Sequence, residues 1–331
     1  MSGSMEIDTT EETYTDQEFY MTLIKIINVS YMVGVSGICL LGITGNGLVI
    51  WFVAFKMKKT VNSVWFLSLA FADFTFSLFL PLTITHIALD YHWPFGSFMC
   101  KLSRFVLYLN LSASVLQLTV ISIDRCISVV FPVWCRNHRT VRLAAKVILV
   151  LWIVSLLLNV PYFIHTHTYA ANDTRVGCYV DWSMHNTQVI IRFIILFVIP
   201  FTIIIFCYTL IFLRIQRNPR ITSTKPFKVI AAVIISFFIC WFPYHVFSIV
   251  NLYGMNHDLS LVFYIGYLIS CLLAYSNSCV NPLLYVFIGQ DFKQKFWRAI
   301  KSGFERAFTE DPNLTDPNRL RDLPDHAISQ M

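Results

Sequence analysis

Six polar side chains from different apolar segments could together bind a small cation. Asp73 is a lone carboxylate within the apolar stretch LSLAFADF. An ionisable group at such a position is costly in a bilayer and usually marks a functional site. Because a hard cation prefers oxygen ligands, we expect an allosteric sodium site and no other cofactor. Its ligands would be Asp73, Asn110, Ser114, Asn277 and Asn281, with Asn46 at a similar depth. The alternative is that these side chains only link helices by hydrogen bonds.

A second group combines two arginines with aromatic side chains in the outer halves of four apolar segments. A guanidinium binds a carboxylate through paired, charge-assisted hydrogen bonds and stays charged when desolvated. We therefore expect one cavity for a carboxylate-bearing ligand, either the C-terminus of a peptide or a fatty-acid-derived mediator. The residues of this predicted cavity are Arg104, Tyr108, Arg192, Tyr244, His245, Tyr267 and Tyr275.

Membrane-spanning helices must position these side chains. Of the 331 residues, 56% are hydrophobic and 13% are charged, whereas about a quarter are charged in soluble proteins. A helix needs about 20 apolar residues to cross a bilayer. Seven stretches qualify, at residues 29–55, 61–89, 98–131, 141–164, 187–213, 226–253 and 259–287. The predicted fold is all-α, a seven-transmembrane helix bundle over residues 29–287.

The basic residues set the predicted orientation, because short basic loops stay in the cytoplasm. Lys and Arg follow spans 1, 3, 5 and 7, whereas Arg175 is the exception in the loops after spans 2, 4 and 6. We therefore predict a multi-pass plasma-membrane protein with an extracellular N-terminal tail over residues 1–28 and a cytoplasmic tail over residues 306–331. Membrane topology also explains the net charge of +6, so we do not expect nucleic acid as a partner.

Three features of the predicted outer surface bear on ligands and processing. The first 24 residues contain six acidic and no basic side chains, so this tail would attract a basic protein ligand. The alternative is a solvated tail without a partner. Cys100 and Cys178 lie where the redox environment permits a disulfide. Asn172, in Asn172-Asp173-Thr174, is a predicted glycosylation site.

Residues 288–305 are predicted to form an amphipathic helix on the membrane surface. Its apolar face would contact membrane lipids, and its basic face would point away from them. The apolar side chains are Phe292, Phe296, Trp297, Ile300 and Phe304.

An ordered set of motifs across all seven spans resembles the rhodopsin-like, or class A, G-protein-coupled receptors. The motifs are Gly45-Asn46, Leu69 to Asp73, Cys100, Asp124-Arg125-Cys126, Trp152, Pro200 with Tyr208, Trp241 with Pro243, and Asn281 to Tyr285. The resemblance covers residues 29–305. The segments 55–62, 91–96 and 137–140 look like the chemoattractant branch, which includes chemerin receptors and formyl-peptide receptors.

This resemblance implies a receptor in chemotactic or inflammatory signalling that couples to inhibitory G proteins and binds arrestin. As a hypothesis, ligand binding would move spans 5 to 7 about their prolines and free Arg125 for the G protein. The predicted switch residues are Asp124, Arg125, Tyr208, Trp241, Pro243, Asn281, Pro282 and Tyr285. Formyl-peptide receptors carry an aspartate at the position of Tyr108 and an arginine at the position of Gln188. This chain is therefore expected to be closer to chemerin receptors.

Three other functions compete with a signalling receptor as interpretations of this sequence. A transporter predicts inverted repeats, and the sequence shows no convincing internal repeat. A membrane enzyme predicts a nucleophile elbow, a phosphate loop or an HExxH pattern, which are missing from this sequence. The hypothesis of a scavenger receptor, which binds its ligand but signals weakly, stays open, since Asp124-Arg125-Cys126 departs from the commoner Asp-Arg-Tyr.

Overall fold

The computed structural model describes residues 6–172, 175–217, 225–253 and 260–288. For residues 6–16, 171–172, 182–185, 225–230, 253, 260 and 284–288 it describes the backbone only. The helices are α1 (Glu6–Phe55), α2 (Val61–Ala88), α3 (Gly96–Val130), α4 (Pro132–His138), α5 (Val141–His165), α6 (Trp182–Phe193), α7 (Ile199–Arg217), α8 (Lys225–Val250) and α9 (Ser260–Ile288). A π-helical turn (Ile194–Val198) joins α6 to α7, and a 3₁₀ turn (Asn251–Tyr253) follows α8.

Seven helical segments in these ranges are long and apolar enough to cross a membrane. They are Gln17–Phe55, Val61–Ala88, Gly96–Val130, Val141–His165, Asn186–Arg217, Ala231–Val250 and Leu261–Leu283. We number them as spans 1 to 7, so that α5 is span 4 and the run from α6 to α7 is span 5. The predicted seven-helix bundle is confirmed. The predicted surface helix over residues 288–305 and the cytoplasmic tail over residues 306–331 lie outside the described residues, apart from the backbone of residue 288.

Three local features differ from the sequence prediction. Helix α1 begins at Glu6 and continues through the segment assigned to the tail, because residues 6–33 contain neither Gly nor Pro to stop it. A short helix, α4, follows α3, where Pro132 occupies the first helical position. The loop after span 4 forms a two-stranded antiparallel hairpin of β1 (Thr166–Asn172) and β2 (Arg175–Val180), which adds a small sheet to the helical fold.

Side-chain caps fix where two spans begin. The Thr60 hydroxyl accepts a hydrogen bond from the Ser63 backbone N–H at 3.1 Å, and the Thr60 N–H donates to the Ser63 hydroxyl at 2.8 Å. This reciprocal capping box satisfies two backbone donors and starts α2 at Val61. Thr140 caps α5 by accepting from the Leu143 N–H at 3.2 Å.

Helix α3 forms the centre of the bundle and packs against α2, α5 and α7. It tolerates buried serines because their hydroxyls bond to carbonyls one turn earlier. Ser112, for example, donates to the Tyr108 carbonyl at 3.0 Å, and Ser122 donates to that of Leu118 at 2.7 Å. Helix α5, in contrast, exposes most of its apolar side chains, as expected for a helix that faces lipid.

The hairpin covers one end of the bundle, which we call the hairpin end. Cys178 of β2 forms a disulfide with Cys100 of α3, with a Cα–Cα distance of 5.8 Å, so this predicted bond is confirmed. The Trp93 backbone N–H also donates to the Val176 carbonyl at 2.8 Å. Asn172 lies at the last paired position of β1, beside the turn. Its glycosylation stays a prediction.

A polar triad ties α1 and α9 to the loop after α2 at the hairpin end. The Tyr264 hydroxyl donates to Oδ1 of Asn28 at 2.6 Å, and the Tyr91 hydroxyl does so at 3.2 Å. The two hydroxyl oxygens lie 2.7 Å apart. Burial and the hydrogen bond to Tyr264 raise the pKa of Tyr91. Its phenol therefore stays protonated and can donate at physiological pH.

Prolines occur in spans 5, 6 and 7. In span 5 the Ile199 N–H bonds to the Ile194 carbonyl, which makes one wide π turn immediately before Pro200. Such single turns accommodate one additional residue within an α-helix. Pro243 lies within α8 and Pro282 within α9. A Cβ on Gly45 of α1 would lie 3.2 Å from the Pro282 ring, so glycine permits close packing there.

Candidate ligand pocket and activation switch

Arg192 is the central charged group of the candidate ligand pocket. It lies near the end of α6, and only 4% of its surface is exposed. Its guanidinium carbon lies 4.6 Å from the ring centroid of Tyr108, 5.3 Å from that of Tyr244 and 5.8 Å from that of Tyr162. These distances are within the range of cation–π attraction. One guanidinium nitrogen also donates to the Tyr162 hydroxyl at 2.9 Å.

No described carboxylate compensates the charge of Arg192. The ion pairs among the described residues are Arg125 and Arg139 with Asp124, and Arg175 with Asp90. Nε of Arg192 is buried and has no hydrogen-bond partner among the described residues. A buried cation held by aromatic faces and one phenol is suited to binding an anion, and most specifically a carboxylate.

Aromatic contacts connect Arg192 to the predicted switch residue Trp241. The rings of Tyr244 and Trp241 are nearly perpendicular, with centroids 5.6 Å apart, and Tyr244 also lies 6.3 Å from Tyr267. His245 is 1% exposed and lies 6.5 Å from Trp241, between ring centroids. The structure therefore brings together the predicted ligand residues Tyr108, Arg192, Tyr244, His245 and Tyr267.

Arg104 and Tyr275 line a separate small cavity of about 40 Å³. His86, Trp93 and Phe76 also line it. Arg192 does not line this cavity but a different one. Arg104 and Arg192 therefore line different cavities, whereas the sequence predicted one cavity that contains both. The Tyr108 and Tyr244 side chains lie within electrostatic reach of both arginines.

The polar cluster around Asp73 is buried in the middle of the bundle. Nδ2 of Asn281 donates to Oδ2 of Asp73 at 2.8 Å, and Asp73 is fully buried. Nδ2 of Asn110 donates to the Ser278 hydroxyl at 3.0 Å, and Nδ2 of Asn46 donates to the Ser278 carbonyl at 2.7 Å. Four spans thus meet at this cluster.

Unpartnered oxygens in and around this cluster fit a cation. They include buried side-chain oxygens of Asn46, Asp73, Asn110, Ser114, Asn277 and Asn281, which have no hydrogen-bond partner within the described ranges. Each leaves an acceptor unsatisfied, which is unusual in a protein interior. A hard cation with oxygen ligands would satisfy several of them at once. Hydrogen bonds connect Asn281, Asn110 and Asn46 to this cluster, whereas Ser114 and Asn277 contribute buried oxygens only.

At the end of α3 that lies away from the hairpin end, Asp124 pairs with two arginines. Arg125 lies 3.0 Å from Oδ2 of Asp124, and Nε of Arg139 lies 2.8 Å from its Oδ1. Both arginines also donate to Oδ1 of Asn62 at the start of α2. Arg125 is 7% exposed and lies within electrostatic reach of Tyr208, whose hydroxyl has no hydrogen-bond partner. Contacts with Asp124 and Asn62 at this end of the bundle therefore hold Arg125 in place.

Comparison with known proteins decides the family. The family model of the 7 transmembrane receptor (rhodopsin family) matches residues 45–285. The chain belongs to the rhodopsin family of seven-transmembrane receptors. It is 44% identical over 308 residues to chemerin-like receptor 1 of Homo sapiens, which covers 87% of this chain and 82% of that protein. It is 40% identical over 315 residues to formyl peptide receptor 2 of Mus musculus, which covers 89% of each chain. N-formyl peptide receptor 3 of Homo sapiens is 40% identical over 291 residues, with 82% of each chain covered.

This receptor is a multi-pass membrane protein and not an enzyme. The resemblance to chemerin receptors and formyl-peptide receptors is confirmed. The family match includes the segments that carry the switch residues, and Trp241, Pro243, Asn281 and Pro282 lie in α8 and α9. The side chain of Tyr285 lies outside the described part of the chain.

Four side chains of these sites were not predicted. Tyr162 binds Arg192, Ser278 joins Asn46 to Asn110, and Asn62 and Arg139 hold Arg125 and Asp124. Ser278 could have been found, because it is a hydroxyl beside Asn277 in an apolar span. Tyr162 gave no such signal, since an aromatic residue near the end of a span is common in membrane proteins.

Proposed function

We propose that this receptor recognises an extracellular chemoattractant, a peptide or protein whose C-terminal carboxylate binds Arg192 inside the bundle. The observation that carries the proposal is the buried Arg192 guanidinium, which has three aromatic faces and one phenol around it but no described carboxylate. A ligand carboxylate would supply the missing charge through charge-assisted hydrogen bonds. Two of the relatives are named chemerin-like receptor 1 and formyl peptide receptor 2. Chemerin is therefore the first candidate ligand.

The proposal includes an orientation with the N-terminus and the hairpin end outside the cell. Two independent features support it. The Cys100–Cys178 disulfide lies at the hairpin end, and such bonds persist outside the cytosol. Basic side chains lie towards the opposite end, among them Lys58, Arg136 and Arg214. In this orientation the acidic N-terminal segment, which has six acidic and no basic residues among the first 24, would be extracellular and would attract a basic ligand.

The proposed mechanism is a shift between two packings of the bundle. Ligand contacts at Arg192 and Tyr244 would press on Trp241, because these groups form one continuous set of contacts. Spans 5 to 7 would then move about Pro200, Pro243 and Pro282. This movement would release Arg125 from Asp124 and Asn62 for contact with an inhibitory G protein. To raise the active state from about 1% to about 99%, the ligand must favour it by about 5.5 kcal/mol.

Sodium and arrestin complete the proposal. A sodium ion at Asp73 would hold the inactive packing, because it would join oxygens from several spans. Its departure would accompany activation. Arrestin would end the signal, although the tail after residue 306 offers few hydroxyl side chains for phosphorylation, namely Thr309, Thr315 and Ser329.

The test is inhibitory G-protein activation in cells that express the full chain. The cells are challenged with inflammatory-tissue extract, before and after protease digestion, and with purified chemerin in free-acid and C-terminally amidated forms. We expect protease to abolish the response to extract, and amidation to reduce the response to an active ligand. A response that survives protease would instead favour a carboxylate-bearing lipid mediator. If no ligand activates the inhibitory G protein in any arm, although surface expression is confirmed, the result would favour a weakly signalling scavenger receptor.

A further inference from the structure

A second face of Arg192 lines a crevice between spans 4 and 5. This crevice has a volume of about 80 Å³ and is distinct from the cavity at Arg104. Spans 4 and 5 both pack on α3 but have few contacts with each other, so their outer surfaces leave a gap. The lining residues are Leu158, Asn159, Pro161, Tyr162, Gln188, Ile191, Arg192, Ile195 and Leu196.

The inner wall of this crevice carries unsatisfied polar groups. Both side-chain polar atoms of Gln188 are buried and have no hydrogen-bond partner in the part of the chain that the structure describes, and the same holds for Nε of Arg192. Gln188 is 8% exposed and Arg192 is 4% exposed. Leaving such donors unpaired in an apolar environment costs free energy. Since nearly all buried polar groups in proteins have partners, this wall is suited to an acceptor from outside the chain.

The outer rim of the crevice is apolar. Ile191 is 49% exposed and Ile195 is 36% exposed, and Pro161 lies opposite them on α5. The adjacent surface of α5 exposes Leu157 and Val160. All of these residues lie within membrane-spanning segments. The rim therefore faces hydrocarbon, where a peptide segment with unpaired backbone groups would be costly.

We propose that this crevice binds the carboxylate head of a single-chain lipid acid that enters from the bilayer. The carboxylate accepts hydrogen bonds from the Gln188 amide and from Nε of Arg192. The hydrocarbon chain lies along Ile191 and Ile195. A cavity of about 80 Å³ is large enough for a carboxylate, because about 10 to 15 Å³ of such volume already holds one water molecule. The site is reached from the membrane and so differs from the proposed ligand entrance at the hairpin end.

Photolabelling of the full-length receptor tests this proposal. The receptor is placed in phosphatidylcholine nanodiscs with a diazirine-bearing hexadecanoic acid, and the labelled residues are mapped by mass spectrometry. The methyl ester of the same probe is the chemical control. We expect the acid to label the α5 and α6 segments that line the crevice at least tenfold more strongly than the ester. Equal labelling by both probes would overturn the proposal, since the carboxylate would then have no role.

Three variants separate the crevice from general contact with lipid. Gln188→Leu removes the amide, and Ile191→Trp fills the rim, so each should reduce acid labelling at least tenfold. Ile239→Trp is the matched control, because Ile239 is 63% exposed on α8 and lies away from the crevice. It should leave labelling unchanged. Wild-type labelling in Gln188→Leu would contradict the proposal. The assay contains no G protein and no water-soluble ligand, so its outcome is independent of the proposed chemoattractant function.

The Gln188→Glu variant controls for a folding defect in the Gln188→Leu variant. This substitution keeps the size and polarity of the side chain but places a carboxylate beside Arg192. The new charge would occupy the guanidinium and repel the probe. Loss of acid labelling in both variants, with normal thermal stability of the nanodisc sample, supports the site. Retained labelling in Gln188→Glu would contradict it.

Discussion

The Tyr162 hydroxyl accepts a hydrogen bond from the Arg192 guanidinium at 2.9 Å, although the two residues lie on different spans. The Tyr162 ring also stacks near that of Tyr108, with centroids 3.9 Å apart. Spans 3, 4 and 5 are thereby joined through one guanidinium. Arg192 consequently has a fixed position before any ligand arrives, which reduces the entropy lost on binding.

Arg192→Ala should reduce ligand potency by about 30-fold, because truncating one partner of a buried charge pair costs about 2 kcal/mol or more. Arg192→Lys should recover only part of this loss, since an ammonium lacks the planar fork that lies against the tyrosines. The measurement is the concentration dependence of inhibitory G-protein activation by chemerin or by the purified active peptide. Arg175→Ala is the control, because Arg175 is exposed and lies 3.9 Å from Asp90. Unchanged potency in Arg192→Ala would refute the carboxylate site.

Arg139→Ala should raise signalling without ligand. Arg139 bridges Asp124 and Asn62, and its loss weakens the contacts that also hold Arg125. A partly exposed pair contributes about 1 kcal/mol, so basal nucleotide exchange should rise about fivefold. Arg136→Ala is the matched control, since Arg136 lies exposed on α4, which ends immediately before Arg139. If basal exchange is the same in both variants, the cluster does not restrain the receptor.

Asp73→Asn should remove the sensitivity of basal activity to sodium. In the unmodified receptor, sodium chloride should lower basal nucleotide exchange relative to choline chloride at equal ionic strength, because the ion holds the inactive packing. The asparagine variant lacks the charge that binds the ion and should respond equally to both salts. Ser77→Ala, on the same helix, removes a hydroxyl that bonds to the Asp73 backbone carbonyl rather than to its carboxylate. A sodium effect that persists in Asp73→Asn would place the ion elsewhere.

Cys100→Ser should lower the thermal stability of the hairpin end. The disulfide closes a loop with a sequence separation of 78, and removal of such a bond costs about 2 to 5 kcal/mol. The expected result is a lower melting temperature of the purified receptor and less receptor at the cell surface. Cys39→Ser, which changes a buried free cysteine, controls for the substitution itself. Equal melting temperatures of the two variants would contradict a stabilising disulfide.

Much of the fold could be predicted because it depends on local chain properties. Apolar length alone identified seven spans, and the locations of Cys100 and Cys178 allowed their disulfide. Of the predicted sodium ligands, Asn281 does contact Asp73, and Asn110 is joined to Ser278 beside it. These side chains lie close together because polar groups in a bilayer are few and each must face the interior, whereas their binding of sodium stays a prediction.

The remaining features depend on tertiary packing. The sequence did not show that Tyr162 of span 4 reaches Arg192 of span 5, or that Arg139 folds back on Asp124 from fifteen residues away. The separation of Arg104 from Arg192 likewise depends on which cavity each side chain lines. Side-chain periodicity gives the face of a helix but not the rotation of that helix against its neighbours.

The wide turn at Ile194–Val198 makes the direction of Arg192 depend on how span 5 winds at this one place. If the same residues wound as regular α-helix, the preceding segment would turn by about 100° about its axis. With α7 held in place by α3, Arg192 would then leave its tyrosines, while Ile204 and Cys207 kept their packing. A change in the winding of one turn, with no change in side-chain chemistry, would thus separate ligand recognition from the integrity of the bundle.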